Sequence, residues 1–124
     1  MDENIRNALS VDMTIDITTT GRKTGEARRI EIWSHYVDGM VLLATSPGRR
    51  SWYANLVANP QFTYHLKESI QADVPATARA ITDEDERRRV LTRLKEASPF
   101  RQGQPMDDVE EWVRGSCLIE VTLG

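Results

Sequence analysis

Residues 18–29, TTTGRKTGEARR, gather Arg22, Lys23, Arg28 and Arg29 around Gly21 and Gly25 in a chain whose formal net charge is −3. Such a group suits an anion. Guanidinium and ammonium groups supply charge and forked donors, and glycine-flanked backbone N–H groups can form a concave nest. The plain alternative for the same residues is a polar hairpin that confers solubility. Residues 17–66 hold six basic side chains (Arg22, Lys23, Arg28, Arg29, Arg49, Arg50) against three acids (Glu26, Glu31, Asp38). One basic region on an acidic body argues for a local phosphate or carboxylate ligand. It argues against nucleic acid, which takes a broad basic face.

The turn is no P-loop, because Arg22 rather than glycine precedes Lys23-Thr24 and a strand rather than a helix follows. No G-x-G-x-x-G dinucleotide fingerprint is present. A second candidate joins residues 44–46 to residues 51–55, where a strand end meets a helix start and leaves free backbone donors. Trp33 and Trp52 either wall a flat ring there or belong to the core. His35, His65 and the lone Cys117 show no metal-ligand spacing, and His35 reads as a surface or half-buried histidine. No Ser-His-Asp set or paired carboxylates stand out, so an enzyme here would draw its chemistry from a bound cofactor.

The elements that must position these groups read as follows. At 124 residues and 40% hydrophobic content the chain is expected to be one domain, 1–124, with a lead (1–12), a strand-rich body (13–81) and a closing part (82–124). Residues 2–9 form a short helix. Residues 13–18 alternate as a half-buried strand, and a second strand covers 28–37. Asp38-Gly39 is a two-residue hairpin signal before the strand 40–45. Ser51 is placed to cap a short helix that ends at Asn59-Pro60. Strands follow at 61–65 and 69–81, with Pro75 marking a bulge or an edge. A helix after residue 82 carries Val90, Leu91 and Leu94 as its apolar stripe, and the run 87–89 reads as its solvated face. Residues 98–106 form a loop, 107–114 a short helix and 117–122 a last strand. About six strands with grouped helices predict an α+β chain whose antiparallel sheet curls into a barrel. No membrane span or secretory signal is expected, and a cytoplasmic home suits the lone cysteine.

Thr19-Thr20-Gly21-Arg22-Lys23-Thr24-Gly25 with Arg28, followed by Trp52-Tyr53-x-Asn55-Leu56-x-Ala58-Asn59-Pro60, resembles the deazaflavin-dependent nitroreductase and quinone reductase family. Its members bind coenzyme F420 on a split β-barrel related to pyridoxamine-phosphate-oxidase-like flavin proteins. The resemblance covers residues 14–81 well and the C-terminal third loosely. It implies that Arg22, Lys23, Thr24 and Arg28 hold the phosphate and acidic tail. It also implies that 29–33, from Arg29 to Trp33, line the ring pocket. Leu43, Ala44, Thr45 and Ser46 then lie near the cofactor, and Ser51, Trp52 and Asn55 contact it. The implied reaction is hydride transfer from reduced F420 to a quinone, nitroaromatic or activated enone. Tyr53 is a candidate proton donor beside solvent. FMN is the alternative cofactor, and a non-catalytic F420 carrier the alternative role. The implied partner is a small-molecule acceptor, with no stable membrane anchor; related barrels are often homodimers.

Overall fold

A computed structural model of the chain describes residues 2–45, 50–97 and 108–124. Helix α1 (Glu3–Val11) begins where the Asp2 carboxylate accepts the Asn4 N–H at 2.7 Å, an N-cap that satisfies a donor the helix cannot. Strand β1 (Thr14–Thr20) buries Ile15, Ile17 and Thr19, as its alternation requires.

The strand expected over 28–37 is two strands, β2 (Ala27–Trp33) and β3 (His35–Val37). The break is at Ser34, whose N–H donates to Met13 O at 2.8 Å and whose hydroxyl accepts from Tyr64 at 2.6 Å. Beyond this anchor the chain leaves β1 and pairs with β4 (Met40–Thr45). Asp38 and Gly39 take φ of 53° and 77° between Val37 and Met40, the paired left-handed conformation of a type I′ hairpin. His35 is buried at 9% exposure, deeper than expected, because β3 lies beneath the helical layer.

The remaining elements are α2 (Ser51–Ala58), β5 (Gln61–Leu66), β6 (Ala72–Ala80), α3 (Glu84–Ala97), α4 (Val109–Gly115) and β7 (Cys117–Leu123). The strand expected over 69–81 therefore starts later. The loop expected over 98–106 lies outside the described residues.

Seven strands form one antiparallel sheet in the order β2-β1-β5-β6-β7-β4-β3. The two edge strands are consecutive in the chain, joined only through Ser34. That connection draws the edges together and curls the sheet into a split barrel. Pro75 sits within β6, a central strand, without a bulge. Its carbonyl accepts from Gly124 N at 2.8 Å, so the side lacking an N–H faces the last residue of the β7 ladder, where only one bond is forgone.

Two apolar layers hold the sheet. Ile15, Ile17, Leu43, Leu56, Tyr64 and Ile119 fill the concave side with α1 and α2. Leu42, Ile81, Leu91 and Leu118 pack on the other side under α3 and α4. Each fully buried Leu or Ile contributes roughly 1.5–3 kcal/mol.

Arg87 corrects the reading of the basic run as a solvated face. It is 8% exposed, and its guanidinium donates to the carbonyls of Val113 (2.9 Å), Ile81 (2.8 Å), Trp112 (3.0 Å) and Ser116 (2.8 Å) and to the Ser116 hydroxyl (3.0 Å). It thus gathers the carbonyls that α4 leaves open at its C-terminus. Arg88 pairs with Glu84 and Glu110 on the surface, and Arg89 is exposed.

Candidate anion and cofactor site

The site grows from the turn between β1 and β2. Gly21 N donates to Glu26 O at 2.8 Å and Gly25 N to Gly21 O at 2.9 Å. Inside the turn, Thr24 Oγ1 accepts from Glu26 N at 3.1 Å. A Cβ on Gly21 would meet Thr24 Oγ1 at 2.8 Å, and Gly25 has φ of +73°, so both glycines are required by the close approach and the left-handed backbone. Arg22 N donates to Asn55 Oδ1 at 3.1 Å. The N–H groups of residues 21, 22, 25 and 26 are thus all committed within the protein. Among the described residues the Lys23 and Thr24 N–H groups have no protein acceptor, so the turn keeps two backbone donors beside its side chains.

Those side chains meet across a cavity of about 220 Å³ lined by Gly21, Arg22, Lys23, Thr24, Arg28, Ser51 and Asn55. Three elements supply it: the turn, the start of β2 and the first turn of α2. The N-cap of α2 is Arg50, with no side-chain cap, and Ser51 is the first helical residue rather than the expected cap. Ser51 thus brings the N-terminal end of α2 to the cavity.

Several cations elsewhere on the surface are neutralised by carboxylates. Arg29, Lys67, Arg79, Arg88 and Arg93 are all in ion pairs. Among the described residues, Lys23 and Arg28 pair with no carboxylate, and the Arg22 side chain bonds the neutral amide of Asn55 at 3.2 Å. Positive charge is concentrated and left uncompensated at one concavity.

The structure splits the remaining expected site residues. Arg29 lies on the opposite face of β2 from Arg28, where its Nε donates to Asp16 at 2.9 Å. Trp33 shares that opposite face, five residues or about 17 Å along the strand from Arg28. Leu43 is wholly buried in the concave core, while Ala44 faces the layer under α3 and α4. Thr45 is half-buried at the end of β4, and Ser46 lies outside the described residues. Trp52 is a core residue at 8% exposure, edge-on to Tyr53 at 6.1 Å, so neither tryptophan lines this cavity. Tyr53 is half-buried against the core and is not among the cavity's lining residues. Sequence reasoning did not assign Gly21 or Thr19 to the site, although both stand in the motif that marks the turn. Gly21 lines the cavity, and Thr19 Oγ1 accepts from Asn55 Nδ2 at 3.3 Å.

A second polar chain lies on the outer face. His65 Nε2 is 2.7 Å from Thr18 Oγ1, and its Nδ1 is 2.7 Å from Asp73 Oδ1. Hydroxyl, imidazole and carboxylate stand in relay order, but β1 is paired on both sides, so its backbone N–H groups are committed to the ladder and form no oxyanion hole. The Asp73 side chain is also 75% exposed. The cluster joins β1, β5 and β6 and acts as a staple. No group of three or more His, Cys, Asp or Glu among the described residues is placed to hold a metal.

A model of the F420H(2)-dependent quinone reductase family matches residues 4–107. The chain belongs to this family. The F420H(2)-dependent quinone reductase family match takes in the turn, β2 and α2, the three elements of the cavity. Among solved structures, an F420 reductase is similar at 15% identity, TM-score 0.70, over 100% of this chain and 96% of that one. A second, an F420-H2 dependent reductase (FDR-A), is similar at 23% identity, TM-score 0.57, over 90% and 93%. A pyridoxamine 5′-phosphate oxidase-type protein from Listeria innocua is similar at 11% identity, TM-score 0.66, over 98% and 91%. At these identities the likeness shows the fold, an α+β split barrel. No described helix is long and apolar enough to cross a membrane.

Proposed function

We propose that the chain transfers hydride from reduced F420 to an electron-poor small molecule such as a quinone, a nitroaromatic or an activated enone. The observation that carries this reading is the cavity where Arg22, Lys23 and Arg28 meet without a carboxylate partner among the described residues, in a chain of this reductase family. The donor set suits the phosphate and carboxylates of an acidic tail. When bound, reduced F420 supplies the hydride.

The protein's own part is positioning. Lys23 and Arg28 hold the anionic tail, Arg22 stands oriented beside them, and the N-terminal end of α2 adds a favourable dipole. Thr24 keeps the turn closed through its bond to Glu26 N. Thr45, at the end of β4, is the proposed approach to the ring. FMN is the second reading, supported by the likeness to the oxidase-type barrel. A cytoplasmic location, a free acceptor as partner and a homodimer complete the proposal.

The test is titration of the purified protein with F420 and FMN, followed by oxidation of reduced F420 with menadione and with a nitroaromatic. Acceptor-dependent oxidation is expected. Tight F420 binding with no turnover of any acceptor makes the protein a carrier instead, and no F420 binding at low salt overturns the reading.

A further inference from the structure

Asn55 is 4% exposed and faces the turn from the second turn of α2. Its Oδ1 accepts both the Arg22 backbone N–H (3.1 Å) and Arg22 Nη1 (3.2 Å), and its Nδ2 donates to Thr19 Oγ1 (3.3 Å). Thr19 is itself 2% exposed. An amide oxygen accepts about two hydrogen bonds, so Oδ1 is filled by Arg22. One Nδ2 hydrogen goes to Thr19, on the barrel side. The oxygen is thereby filled by Arg22, and one of the two Nδ2 hydrogens is held by Thr19.

We propose that Asn55 acts as a positioning residue: it sets affinity for the anionic end of the ligand by fixing Arg22. This rests on the proposed F420 reading. The latch works at two levels. Holding the backbone N–H fixes where the turn sits against α2. Holding Nη1 fixes which way the guanidinium points, so its rotamer freedom is lost before any ligand arrives. Thr19 orients the amide in turn, since Nδ2 toward the hydroxyl leaves Oδ1 toward Arg22. β1, α2 and the turn are joined through one side chain, and the cavity is assembled from α2 and the turn.

The test compares F420 with a tail-less deazaflavin. Asn55→Leu is expected to weaken F420 about tenfold, the effect of losing bonds to a charged partner, while tail-less affinity moves less than about twofold. Asn55→Asp keeps Arg22 latched but sets a negative charge in the cavity, so it is read by exchange at the Arg22 amide and not by F420 affinity. Its carboxylate accepts from the same two Arg22 donors, and the Thr19 hydroxyl can turn to donate. In an Arg22→Ala background, Asn55→Leu is expected to add less than about twofold. Equal losses for both ligands, or the full tenfold loss without Arg22, would overturn the proposal. Hydrogen exchange at the Arg22 amide, without ligand, reads the latch apart from F420. Exchange about tenfold faster in Asn55→Leu but near normal in Asn55→Asp supports it, and an unchanged rate in Asn55→Leu sinks it. If wild type binds no F420 while Arg22 exchange behaves as expected, the cofactor reading fails and the latch stands. If Asn55→Leu does not fold, Thr19→Val gives the parallel comparison: a selective loss of F420 over the tail-less ligand supports the proposal, and equal losses overturn it.

Discussion

Arg28 and Arg29 are neighbours in sequence and opposites in space: Arg28 lines the anion cavity, while Arg29 Nε donates to Asp16 across the other face of β2. Strand periodicity alone separates them, since successive side chains leave a strand on opposite sides. Arg28→Ala is therefore expected to weaken F420 binding about tenfold, whereas Arg29→Ala stays within about twofold. Fluorescence titration of the two variants side by side checks this. A larger loss for Arg29→Ala would mean that the ligand uses the opposite face.

Lys23 has no ion-pair partner among the described residues, and the turn's N–H groups at 21, 22, 25 and 26 are committed internally. Binding should draw on the Lys23 charge and weaken as salt screens it. Lys23→Ala is expected to weaken F420 more than a tail-less deazaflavin, and its effect is expected to shrink between about 0.05 M and 0.5 M salt. Equal losses for both ligands, or a salt-independent loss, would contradict the tail-binding role.

Arg87 is a structural residue. Removing its guanidinium leaves the carbonyls of Ile81, Trp112, Val113 and Ser116 without that donor. Arg87→Ala is expected to destabilise by about 3 kcal/mol in urea unfolding, and Arg87→Lys by a good part of that, because an ammonium lacks the planar fork. The exposed neighbour Arg89→Ala should change stability by less than about 0.5 kcal/mol.

Burial pushes the Tyr64 phenol up to about 12, with the neighbouring Ser34 hydroxyl, which can turn to donate to a phenolate, acting in the opposite direction. Below pH 10 the phenol is neutral in both states. Between about pH 10 and 12 the unfolded chain releases the proton and the folded protein keeps it, so stability falls as pH rises. The loss over that window is about 2 kcal/mol for this group. Urea midpoints measured from pH 9 to 12 should fall less steeply in Tyr64→Phe. Parallel slopes in the two proteins would show that Tyr64 is not the group responsible.

The split at Ser34 shows where sequence patterning ran out. Alternation through 28–37 is continuous in the chain, and Ile30, Ile32 and Tyr36 all pack against the same core cluster. The bend comes from partners distant in sequence, Met13 and Tyr64, which no local period can reveal. Arg87 was legible only in part. It stands three, four and seven residues before Val90, Leu91 and Leu94, on the apolar stripe, but its charge masked that position.

The sequence by itself determined the antiparallel α+β architecture, the Asp38-Gly39 hairpin and the basic turn, because period, turn chemistry and charge density are local properties. Strand period puts Arg28 and Arg29 on opposite faces, and the tertiary structure decided which of those faces meets the cavity and which meets Asp16. It alone showed that both tryptophans lie away from the cavity and that Asn55 is closed against Arg22 and Thr19. The Asn55 contacts span 33 and 36 residues of chain, which side-chain spacing along a strand or helix does not encode.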